Sequence, residues 1–193
     1  MELQKMEAKN GDSMIMKSRG QLTAKMAREI SPYWEKRGYY VLYDHDPSSK
    51  NVGKIVSSFG KQPYGQSTQL SHIDIAIVEK SSDRVFALIE IEETTDKPKS
   101  LLGDVFGVLM GEYISFGKER PLSVDEHTSL FVFGKSKVSH KERIDYILDI
   151  VKRFSSNLGT RNSKIEKIDM KTFSTEQELK ELLTNNISGP TPK

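Results

Sequence analysis

The chain has no cysteine among its 193 residues. That excludes a disulfide framework, a thiolate-bound zinc and a cysteine nucleophile together. Neither sign of charge dominates: 29 Lys and Arg stand against 27 Asp and Glu, a net charge of +2. The whole surface is therefore not a polycation, although a local basic patch is permitted. No apolar run approaches the ~18 residues of a membrane span, and the opening MELQKMEAKNGD lacks the apolar centre of a signal peptide. The expectation is a soluble, cytoplasmic protein with no membrane partner. A Gly-rich nucleotide loop is also missing, which leaves a small-molecule enzyme without support. No internal repeat is visible.

What is present is an ordinary globular composition, with 36% hydrophobic and 29% charged residues. This length suits one domain with a sizeable core. Residues 1–18 are polar with scattered Met and read as a partly disordered N-terminal segment. Residues 19–186 read as a single domain, and 187–193 as a disordered tail. Gln21 to Lys36 has Leu22, Met26, Ile30 and Trp34 on one stripe and is predicted helical. Pro32 should kink this helix or open a second one capped by Ser31. After Gly38, Tyr39–Tyr43 reads as a strand. Residues 44–69 hold five Gly or Pro and read as one long loop. A helix is predicted from Pro98 to Ser115, a strand over Ser129–Phe133, and a helix capped by Ser139 with Ile144, Ile147, Leu148, Val151 and Phe154 inward. Lys164–Met170 is a last candidate strand and Thr175–Leu183 a last helix. The alternation implies an α/β fold, a mixed central sheet flanked by helices.

Two segments between these elements carry the chemistry. Leu70–Val78 reads LSHIDIAIV and Arg84–Glu92 reads RVFALIEIE. Both look like strands buried on two faces, yet Asp74, Glu90 and Glu92 interrupt them. A buried carboxylate costs several kcal/mol unless something positive lies beside it. The short linker favours an antiparallel hairpin. With a turn at Ser81, Ser82 and Asp83, Asp74 falls opposite Glu90 and His72 opposite Glu92. Like charges across a ladder are destabilising, so convergent carboxylates point to a divalent cation. Asp74 and Glu90 are suited to hold it. Glu92 lies on the same strand face as Glu90, ~7 Å along. The alternative is a network in which His72, Lys or Arg satisfies Asp74, with Glu92 a solvated strand end.

The order of elements, together with His72-Ile73-Asp74 and Glu90-Ile91-Glu92, resembles the PD-(D/E)XK nuclease superfamily over roughly Gln21 to Phe133. That family has a core of helix, three strands, helix and strand. An Asp lies on its second strand and a (D/E)-x-K triplet on its third. The resemblance implies a restriction endonuclease-like core, a Mg²⁺ cofactor for which Mn²⁺ can substitute, and hydrolysis of DNA phosphodiester bonds. It also implies a metal held by Asp74, Glu90 and the Ile91 carbonyl. Glu92 stands where most members have lysine, and a minority branch also carries Glu-x-Glu.

Members often add an acidic residue from the first helix, which makes Glu29 a catalytic candidate beside Asp74, Glu90 and Glu92. Lys54 and Lys61 in the long loop suit DNA phosphates, and Lys97 and Lys99 follow the Glu-x-Glu strand closely enough to reach one. Lysines at a helix start oppose the macrodipole, which favours a functional reason for them. Gly103, Gly107 and Gly111 share one helix face and imply close approach to another backbone, in the sheet or in a second subunit. The expected function is a metal-dependent DNA endonuclease of restriction or repair type, acting as a homodimer because two strands require two sites. The alternative is an inactive nuclease-fold subunit for DNA binding or assembly.

Overall fold

Leu22, Met26, Ile30 and Trp34 recur every four residues, and all four are buried along one face of helix α1, Gln21–Glu35. The structure is a computed structural model that describes residues 20–44, 52–60, 68–93, 98–117, 120–135, 145–147, 149–151, 153–154, 164–165 and 167–187. Among these residues no helix is long and apolar enough to cross a membrane. Pro32 neither breaks α1 nor starts a second helix. The Ser31 hydroxyl, expected to cap one, instead donates to the Ala27 carbonyl at 2.8 Å. Gly38, at φ 87°, turns the chain into the next strand in a conformation that glycine tolerates without strain.

Among the described residues nine strands follow: β1 Tyr39–Tyr43, β2 Ile55–Ser58, β3 Gln69–Ile73, β4 Ile75–Glu79, β5 Val85–Glu92, β6 Tyr113–Phe116, β7 Arg120–Leu122, β8 Ser129–Lys135 and β9 Lys167–Phe173. Helix α2, Pro98–Leu109, connects β5 to β6, and α3, Glu176–Glu181, follows β9. The described residues of 145–154 are also helical. A mixed five-stranded sheet has the order β1-β4-β5-β8-β9, and an antiparallel four-stranded sheet the order β3-β2-β6-β7. In the larger sheet β1, β4 and β5 are antiparallel neighbours, while β5, β8 and β9 run parallel.

The larger sheet is covered on both faces. Ile75, Ile77, Ile89 and Ile91 pack with α1 and with Leu179 and Leu183. Ala76, Val78, Leu88 and Val132 pack with Leu101, Val105 and Val108 of α2 and with Ile147 and Val151. This double burial explains why β4, β5 and β8 read as continuous apolar runs rather than alternating ones.

Several sequence expectations change. Residues 44–69 are not one loop, because β2 lies inside them with Ile55, Val56, Ser57 and Ser58 buried. The helix expected to reach Ser115 stops at Leu109, and Tyr113–Phe116 pairs with β2 instead. β7 takes Pro121 at the sheet edge, where a missing N–H breaks no ladder. Ile187, assigned to a disordered tail, is 1% exposed and belongs to the core. Phe154 is exposed rather than inward, and its ring lies 6.0 Å from that of Phe106. Ser139, Ile144, Leu148 and the 1–18 segment lie outside the described residues. The glycine repeat has its answer in the smaller sheet. A Cβ on Gly107 would stand 2.7 Å from Ser71 Cβ, and one on Gly111 1.9 Å from Ser57 Oγ. Gly103 faces open space.

Candidate functional site

Asp74 lies at a bend. The segment expected to be one strand from Leu70 to Val78 is two, β3 in the smaller sheet and β4 in the larger, and Asp74 is the residue between them. Its carbonyl accepts from Asp44 N–H at 3.3 Å, and its Oδ2 accepts from Ile91 N–H at 2.7 Å. A residue released from the ladder on one side can turn its side chain toward the neighbouring strand.

The register between β4 and β5 runs Ile75↔Ile89, Ala76↔Leu88 and Ile77↔Ala87, then shifts by one at a bulge toward Val78↔Val85. The turn is one residue longer than expected, closed by Glu79 N–H to the Arg84 carbonyl, and the bulge absorbs the difference. Extended one step past Ile75, the register sets Asp74 against Glu90. Both share parity with Ala76, Val78 and Leu88, so both face α2. His72 does not meet Glu92. It is exposed and pairs with Val56 in the smaller sheet, while Glu92 pairs with Gly134 of β8.

Glu90 is 6% exposed, and its Oε1 has no hydrogen-bond partner among the described residues. Burial holds its carboxyl well above the ordinary carboxylate range, and the negative charges of Asp74, Asp104 and Glu92 add to the shift. Burial likewise pushes Asp74 up to about 7. The Ile91 N–H opposes that shift, and Asp104, Glu93 and Glu92 reinforce it. Asp104 did not figure in the expected site. Its signal was nevertheless present: it stands three residues after Leu101 and four before Val108, on the apolar stripe of α2.

The remaining candidates are elsewhere. Glu29 is exposed, with Oε2 3.0 Å from Lys180 Nζ. It rides on α1, which covers the opposite face of the sheet from Glu90. Glu92 is half-buried at the end of β5. Lys54 and Lys99 are exposed, whereas Lys61 and Lys97 lie outside the described residues.

An all-carboxylate donor set suits a hard cation such as Mg²⁺ or Mn²⁺. A buried, unpartnered Glu90 oxygen beside like charges fits that requirement. Among the described residues no group of three or more His, Cys, Asp or Glu side chains is arranged around one ion position. Compared with protein-family models, with curated proteins and with solved structures, the chain matches none.

Proposed function

We propose that this chain is a Mg²⁺-dependent DNA endonuclease of the restriction or repair type, with a PD-(D/E)XK-like core, that acts as a homodimer. The observation that carries the reading is the pairing of Asp74 with a buried Glu90 whose Oε1 lacks a partner among the described residues. The chain order around it supports the same reading. A helix, three antiparallel strands (β1, β4, β5), a helix and a parallel strand (β8) follow one another in the larger sheet, with Asp74 at the start of the middle strand.

Asp74 and Glu90 would hold the cation, together with the Ile91 carbonyl. Bound there, the metal supplies charge stabilisation for the phosphoryl oxygens and a more acidic water. Glu92, on the same strand face as Glu90, is suited to take the proton of the attacking water. Hydrolysis joins the water oxygen to phosphorus, breaks the bond to the 3′-oxygen and leaves a 5′-phosphate, with the displaced oxygen taking up a proton. Lys54 and Lys99 are exposed cations that would meet backbone phosphates.

Supercoiled plasmid incubated with the full chain and Mg²⁺ or Mn²⁺ tests this. Nicked and linear products that vanish with chelator, and with Asp74→Asn, are expected. Intact plasmid that is nevertheless shifted on a gel would favour an inactive DNA-binding subunit.

A further inference from the structure

We propose that Asp104, on the inner side of α2, is a further ligand of the divalent cation, closing the site from the helix side. This rests on reading Asp74 and Glu90 as a cation centre. Three observations on α2 and the sheet bring Asp104 there.

The first is packing. Leu101, Val105 and Val108 bury the inner stripe of α2 against the sheet face that Leu88 shares with Glu90. Asp104 lies on that stripe and is half-buried, where a solvent-facing carboxylate would normally be excluded. The second is the approach of helix to strand. Gly107 leaves room for Ser71 and the Leu70 carbonyl, which would stand 2.7 Å and 3.1 Å from a Cβ there. The Ser57 hydroxyl also donates to the Gly107 carbonyl at 2.8 Å. Ser71 precedes Asp74 by three residues, and Asp104 precedes Gly107 by nearly one helical turn. The contact that only glycine permits therefore brings Asp104 down toward the bend.

The third observation is the buried Glu90 itself. Its Oε1 has no partner among the described residues, and the charges that act on it, from Asp74, Asp104 and Glu92, are all negative. Asp104 acts on Asp74 as well. Asp74, Asp104 and Glu92 each act on Glu90 as a like charge, and a cation there would offset that repulsion. Asp104 would then hold the ion from the helix side. The acidic helix residue of this site would thus come from α2, after the hairpin, with Glu29 on the far face.

The test is Mn²⁺ binding to the full chain, followed by titration calorimetry and by the loss of free-ion paramagnetic resonance. Asp104→Asn should weaken Mn²⁺ about tenfold or more, and Asp104→Glu should recover part of the loss, with circular dichroism unchanged in both. Parental affinity in Asp104→Asn, where Asp74→Asn and Glu90→Gln have lost binding, would overturn the role of Asp104 and leave the cation centre standing. Failure of the unaltered chain to bind millimolar Mn²⁺ would overturn both. Tight Mn²⁺ binding that needs Asp104, in a chain that leaves plasmid intact, would uphold Asp104 as a ligand while sinking the nuclease reading.

Discussion

Asp74 and Ile91 are joined across the hairpin, with Asp74 Oδ2 accepting the Ile91 backbone N–H at 2.7 Å. This contact favours the ionised form of Asp74 against burial and neighbouring charge. It also ties the carboxylate to the strand that carries Glu90 and Glu92. The bond holds the side chain in place, as the proposed cation site on rigid strands would require.

Asp74→Asn keeps an oxygen for the Ile91 N–H but removes a charge. Glu90→Gln does the same for the buried pair. Each should lower metal-dependent cleavage by roughly a hundredfold or more. Each should also stabilise the metal-free protein at pH 8 by about 1–2 kcal/mol, since a buried like charge is lost. Parallel plasmid assays and denaturant titrations in chelator read both effects. Unchanged cleavage by a homogeneous Asp74→Asn preparation would refute the mechanism.

The metal-free chain should become less stable as pH rises. Asp74 and Glu90 are both raised above their unfolded values, so their contribution is fully present below about pH 4 and lost as pH climbs through the folded values. For Asp74 the window runs from 3.8 to about 7. At ~1.4 kcal/mol per pH unit the limit is about 4 kcal/mol. Asp74 keeps some contact with water, so a fall of about 2 kcal/mol is expected. Asp74→Asn should flatten the slope across that window. Mg²⁺ should stabilise more at pH 8 than at pH 5, because it binds the ionised carboxylates.

Glu92→Ala should lose cleavage if Glu92 handles the attacking water, and Glu92→Lys should retain part of it by supplying the lysine common in the superfamily that the motif resembles. Parental rates in both variants would mark Glu92 as a solvated strand end. Lys99→Ala should then be the slow variant, and Lys97→Ala provides the second check on the same segment.

Gly103 inside α2 and Gly111, two residues past its end, should separate cleanly. Gly111→Ala drives a methyl to 1.9 Å from Ser57 Oγ and should cost about 2–3 kcal/mol. Gly103→Ala meets open space and should stabilise by about 0.5–1 kcal/mol. Thermal unfolding of the two variants beside the parent decides it. Equal midpoints for both would mean that α2 does not rest on the smaller sheet at Ser57.

Local pattern determined much of this protein. The four-residue stripe from Leu22 to Trp34 specified α1, and the apolar runs around Asp74 and Glu90 specified strands buried on both faces, because doubly covered strands cannot alternate. A side-chain period of two already set Glu90 beside Glu92, while the register of Asp74 against Glu90, expected from a three-residue turn, is reached through a longer turn and a bulge. Tertiary structure decided the rest. It cut the Leu70–Val78 run at Asp74, because two sheets share that segment and each takes one half. It recovered β2 from a polar stretch, since four short residues become a strand only when β3 and β6 supply their ladder partners. It ended α2 at Leu109 for the same reason, as Tyr113–Phe116 gains more from pairing than from helix. It also carried Glu29 away to Lys180 and brought Asp104 to the carboxylates. Which face of a sheet a helix covers depends on chain crossings many residues distant, and no local spacing records them.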